Sequence, residues 1–212
     1  MDLRDARAFV PGMIEVLEKR GWLKFAERPG QVNETWTWKF YANVAVLSQE
    51  AVLITIRRVY IFIAPKNINK LLELAAQDPV YYVKTLALSN GECRIWAADI
   101  LYPKEGEPPK FGNCRIKKST FTLEAKNWVN CVLARLKPSK NDDDIPLHRA
   151  ILTAAIMEGW PIEVDQVVTA EIRDAFPKVS KSMHFPWVLI ELMKKFKVRR
   201  LEDRWVQGPR NR

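Results

Sequence analysis

Glycine is sparse in this chain, eight among 212 residues, and none falls into G-x-x-x-x-G-K-[ST] or G-x-G-x-x-G spacing. Loops that cradle phosphates with backbone N–H groups are built on such spacings, so nucleotide binding has no sequence support and no cofactor is expected. Cysteine is scarcer still. Cys93, Cys114 and Cys131 are an odd number without C-x-x-C spacing, and the only histidines, His148 and His184, lie far from them in the chain. Neither a zinc site nor a disulfide framework follows from that set, so no metal site is expected and the cysteines read as core or boundary residues. No G-x-S-x-G or Cys/His signature accompanies the histidines, which read as ordinary surface or boundary residues. No stretch approaches about 18 uncharged apolar residues, and MDLRDARAFVPG mixes acids with bases and has no apolar core. The expectation is therefore an intracellular protein, nuclear or cytoplasmic, that makes no membrane contact.

What the chain does have is a large apolar fraction, 48%, enough to bury a substantial core. It also has an uneven charge. The net charge is +9, yet the stretch from Lys194 to Arg212 alone holds eight bases against two acids, leaving only +3 for the other 193 residues. A broad basic face is not forced by composition, and attraction to polyanions is expected to concentrate at the C-terminal end.

The period of the sequence changes at one place, Ala51 to Leu74. From Val52 to Ile63 nearly every position is β-branched or aromatic except Arg57-Arg58, which predicts two short strands reversing at the arginines. Pro65 suits a first helical turn, and Ile68, Leu71, Leu72 and Leu74 recur at helical spacing behind it, giving a ββα unit. The reversal holds neither Gly nor Asn, so the expectation is a loose turn through Arg57, Arg58 and Val59 with two arginines at an exposed tip.

Elsewhere the pattern is helical. A first helix runs from about Leu3 to Arg20 and stops at Gly21; a second is expected from an Asn33 cap to about Ala42. Trp22, Phe25, Trp36, Trp38, Phe40 and Tyr41 read as packing onto the hairpin, with a base-stacking platform as the other reading. A helical run begins at Asp78 or Pro79, Asn90-Gly91 breaks it, and another helix covers Ile95 to Leu101. Residues 104–120 read as a loop between lobes. Thr122 caps a helix to Leu136, Asp144 one to Gly159, Asp165 one to Pro177, and a last helix spans Pro186 to Phe196. The expected fold class is mainly α, a helical two-lobe domain with a small antiparallel β-hairpin. Its division is 1–103 with the hairpin at 52–63, a linker at 104–120, a helical lobe at 121–198 and a basic tail at 199–212.

Several stretches, GWLKF (21–25), KFYAN (39–43), VLITIRRVYIFIAPKNINKLLEL (52–74), FTLEAKNWVNCVLARLKPSK (121–140), RAILTAAIMEGWPIEVDQVV (149–168) and FPWVLIELMKKFKV (185–198), stand in an order that resembles the plant transposon protein domain family over roughly Gly21 to Val198. It departs from that pattern at Arg58, where a glycine is expected in the family, and in 104–110. The resemblance implies a plant source and a mobile-element origin, and it brings no catalytic residues.

A transposon origin invites a metal-dependent nuclease, whose paired carboxylates hold two divalent cations. The strand candidates contain no acid, and Asp142, Asp143 and Asp144 read as a capping and solvating run before a helix. A nuclease or transposase remnant is thus the weakest of three readings. The leading expectation is a non-enzymatic protein associated with DNA or RNA, its phosphate contacts made by Arg57, Arg58, Lys194, Lys195, Lys197, Arg199, Arg200 and Arg204. The tail is equally readable as a nuclear-import signal or a solvated terminus. The other class is a protein-interaction or self-assembly module with a protein partner or a second copy of itself, favoured by the near-neutral body.

Overall fold

The computed structural model describes residues 11–26, 31–32, 34–46, 51–74, 90–103, 115–138, 143–175, 184–198 and 206–207. In chain order the helices are α1 (Pro11–Lys19), α2 (Leu23–Ala26), α3 (Glu34–Ala42), α4 (Pro65–Leu72), α5 (Asn90–Leu101), α6 (Leu123–Cys131), α7 (Leu147–Met157), α8 (Val164–Ala175) and α9 (Pro186–Lys195). The strands are β1 (Gln31–Val32), β2 (Val44–Val46), β3 (Val52–Ile56), β4 (Val59–Ile63), β5 (Arg115–Lys117), β6 (Asp144–Pro146) and β7 (Val206–Gln207). The fold is mainly α-helical with a small antiparallel hairpin, as the periodicity predicts.

The chain packs into two compact units whose boundaries differ from a division at 104–120. One comprises Met1–Asp5, Leu17–Ala75 and Val164–Arg212; the other comprises Ala6–Val16 and Ala76–Glu163. Residues 115–117, expected in a linker, form β5 and pair with Asp144–Pro146, and a 3-10 turn follows at Lys118–Thr120.

In the first unit the hairpin gains a third strand, giving the antiparallel order β2-β3-β4. Val52, Ile54, Ile56, Ile61 and Ile63 are buried on one face. Period-two alternation sends the other residues to the opposite face, so a sheet of this kind needs a cover on one side only. Helix α4 supplies part of that cover, burying Ile68 and Leu72 while packing on β4 and on α8. Asn67 Nδ2 donates to the Phe62 carbonyl at 2.7 Å, fixing the start of α4 to the end of β4. Helix α3 packs on β3 and on α9, and buries Trp36, Phe40 and Tyr41.

The turn is tighter than its residues suggest. Ile56 pairs directly with Val59, and Arg57 and Arg58 have φ of 52° and 66°. Two successive positive φ angles are the mark of a two-residue I′ turn, whose twist matches the strands it joins. The expectation of a looser reversal is overturned because pairing along the whole length of β3 and β4 selects the turn over the local preference of arginine. Left-handed backbone costs a non-glycine residue roughly 1 kcal/mol. Replacing Arg57-Arg58 by Asn-Gly is therefore expected to raise the unfolding free energy by about 1–2 kcal/mol, read as a higher urea midpoint at unchanged slope. A lower midpoint would reject the I′ geometry.

The second unit is built around α7, in which Leu147 and the whole run from Ala150 to Ile156 are buried. A helix apolar all round is an interior helix, and α5 and α6 pack against it. Its sequence therefore reads as core, and it begins after Pro146 rather than at an Asp144 cap: Asp144 is a strand residue opposite Lys117. Asp165 likewise stands in the first turn of α8, not before it. Asn90-Gly91 opens α5, which therefore starts earlier than the expected Ile95. Thr122 does cap α6, its hydroxyl accepting from the Ala125 N–H at 3.1 Å. The helix then widens into a π turn at Val132–Leu136, where Lys137 N–H reaches the Val132 carbonyl and Arg135 is buried with Leu133 and Leu136. The Asn33 cap and the run from Asp78 lie outside the described residues.

Candidate nucleic-acid interface

Three consecutive choices along β4 create a surface. The register places Ile61 and Ile63 on the buried face, opposite Ile54 and Val52, so Tyr60 and Phe62 fall on the other face opposite Thr55 and Leu53. Tyr60 is 68% exposed and Phe62 40% exposed, and Trp38 is the one other exposed aromatic ring among the described residues. Immediately before them stand Arg57 and Arg58, both exposed at the turn. The two-residue turn that carries the cations leads into the strand that carries both rings. Charge at the turn and stacking surface along β4 are thus available on one hairpin.

Tyr60 and Phe62 are the residues that a reading by composition misses. The signal lies in the alternation of Val59–Ile63, VYIFI, where aromatic and aliphatic residues take opposite faces once the hairpin register is known. Among the six aromatics expected to pack the core, Trp22, Phe25, Trp36, Phe40 and Tyr41 do so, and Trp38 does not, being 44% exposed on α3.

The second group of cations ends α9. Lys194, Lys195 and Lys197 are exposed there, where a helix C-terminus favours positive charge. Lys194 Nζ pairs with Glu191 Oε1 one turn back, an exposed pair worth little in stability. Lys197 has φ 56°, its N–H bonds the Lys194 carbonyl at 3.0 Å, and Val198 N–H bonds the Met193 carbonyl at 2.9 Å. That pair of bonds is a Schellman ending, in which lysine occupies the position glycine usually takes. Arg199, Arg200 and Arg204 lie outside the described residues. The five described cations, Arg57, Arg58, Lys194, Lys195 and Lys197, belong to the same compact unit.

The remaining candidates for chemistry stay apart. His148 is exposed on the first turn of α7, and His184 offers its backbone carbonyl to the Tyr41 hydroxyl. Cys93 and Cys131 are buried. Among the described residues no group of three or more His, Cys, Asp or Glu side chains is placed to hold a metal ion. No helix among them is long and apolar enough to cross a membrane.

The family model described as "Putative plant retrotransposon-related domain" matches residues 18–199. The chain belongs to that family. The match takes in the hairpin, α9 and both groups of described cations, so the retrotransposon-related domain itself carries the candidate surface. No curated protein and no solved structure matches the chain.

Proposed function

We infer that this retrotransposon-related domain associates with nucleic acid and catalyses no reaction of its own. The observation that carries the reading is that the exposed turn arginines, Arg57 and Arg58, and the exposed Lys194, Lys195 and Lys197 all belong to one compact unit whose sheet presents solvent-facing aromatic rings. Cations near a polyanion release its condensed counterions, and that release drives sequence-independent binding. Partners of this kind, DNA or RNA, need no cofactor.

Fluorescence anisotropy of labelled single-stranded and duplex DNA and RNA between about 50 and 200 mM salt tests the reading. If each of the five described cations meets one phosphate of a single strand, the log–log slope is about −3.5 and affinity falls roughly 100-fold across that range. Changing all eight predicted cations to glutamine in the full chain is expected to flatten the slope. Absence of binding, or binding indifferent to salt, overturns it.

A protein-interaction or self-assembly role is the second reading. Ile95 and Leu123, 62% and 72% exposed in the other unit, favour it, and concentration-dependent light scattering measures it directly.

A further inference from the structure

We propose that the outer face of the β3-β4 hairpin is a stacking platform for single-stranded nucleic acid, with bases on Tyr60 and Phe62 and the adjoining phosphates at Arg57 and Arg58. This rests on the reading of nucleic-acid association and adds to it the strandedness of the ligand and the residues that recognise it.

Three observations converge. Tyr60 and Phe62 are alternate residues of one strand, so their Cα atoms lie about 6.7 Å apart and both belong to the face opposite the buried isoleucines. A base must leave its own stack before it can lie on a protein ring, which a duplex resists and a single strand allows. The rings therefore select for single strands, whereas cations alone would favour the denser charge of a duplex.

The arginines are the second observation. They occupy the two left-handed positions of a turn that Asn-Gly would adopt without strain. An outlier of this kind points from structure toward function when its side chains have chemistry to offer, and a guanidinium meets phosphate in a fixed bidentate geometry.

The third is the composition of the face itself. The rings, the exposed Thr55 opposite Tyr60, and the cations of the turn itself form a mixed surface suited to a polyanion bearing flat bases.

The test uses the full chain with fluorescein-labelled dT12 and rU12 and a 12-bp duplex, at fixed salt and then across a salt series. Tyr60→Ala and Phe62→Ala are each expected to weaken single-strand binding roughly 5- to 150-fold with the salt slope unchanged, and Tyr60→Phe to retain it. Arg57→Ala and Arg58→Ala are each expected to reduce the slope by about 0.7. Circular dichroism keeps loss of binding apart from loss of fold, since both rings are solvent-facing. The two oligonucleotides separate a DNA preference from an RNA preference, and either supports the platform.

Binding that survives both ring substitutions but is lost when Lys194, Lys195, Lys197, Arg199, Arg200 and Arg204 become glutamine overturns the platform and leaves nucleic-acid association standing. Duplex binding tighter than single-strand binding overturns it likewise. No binding by any form overturns both, and a fall in particle size on ring substitution would then identify the face as a contact between copies.

Discussion

Tyr41→Ala is expected to lower the unfolding free energy of its unit by about 3–5 kcal/mol, while Tyr41→Phe costs only about 1–2 kcal/mol. The ring is 1% exposed and meets Phe40 edge to face, with centroids 5.3 Å apart and planes at 80°. Its hydroxyl donates to the His184 carbonyl at 2.7 Å, across 143 residues of sequence. One side chain thus ties α3 to the residue from which the chain enters α9. Truncation removes the ring, leaves a cavity and withdraws that donor from the His184 carbonyl together; the phenylalanine variant removes the donor alone. Burial also raises the phenol well above its usual range, with the Glu171 charge adding to the rise. Urea unfolding of both variants, followed by tryptophan fluorescence, separates the contributions. Equal losses for the two would mean that the hydroxyl, and not ring packing, holds α3 to α9.

How much of this was legible in the sequence depends on whether local chemistry or distant pairing decides each element. The ββα unit and the Thr122 cap are written in short-range patterns, and so are the ends of α1 and α7. Gly21 and Gly159, with φ of 67° and 78°, accept the left-handed backbone there at no steric cost. Glu73 and Lys197 adopt the same backbone conformation at the ends of α4 and α9 with φ of 58° and 56°. Nothing in their side chains announces it, because packing of the helices fixes where the chain must turn. The same holds for Arg57-Arg58, where register overrides turn preference. Strands β5 and β6 are three residues each and pair across the long connection from Lys117 to Asp144. They are too short for any period to register, so the acids at 143–144 read locally as a solvated run.

The candidate surface divides along the same line. Its cations are visible by inspection, since charge excess needs only counting. Its rings are not, because the faces taken by Tyr60 and Phe62 follow from a pairing that only the folded hairpin defines. Arg135 is a case in which local chemistry is silent on burial. A base in the last turn of a helix suits the dipole, and here the residue in the π turn is buried, at 6% exposure.

That turn sets up the second large effect, a loss of stability on the order of 3 kcal/mol as pH rises from about 9 to about 11. Cys131 closes α6 immediately before the π turn and is 6% exposed. Burial pushes its thiol from 9.0 up to about 11, with the positive charge of Arg135 four residues on opposing the rise. Above pH 9 the unfolded thiol gives up its proton while the folded one keeps it. The native state then holds more protons than the unfolded state, so stability is complete below the unfolded value and is lost as pH climbs through the folded one. The difference in urea-derived stability between the wild-type chain and Cys131→Ala, taken at intervals across this window, isolates the thiol from Tyr41, whose phenol adds a similar loss above about pH 10 in the other unit. The difference should shrink steadily with pH, and iodoacetamide should label Cys131 at pH 8 only as fast as the unit unfolds. A difference that stays constant, or prompt labelling of the native chain, would place water at Cys131 and require the α6–π junction to be open in solution.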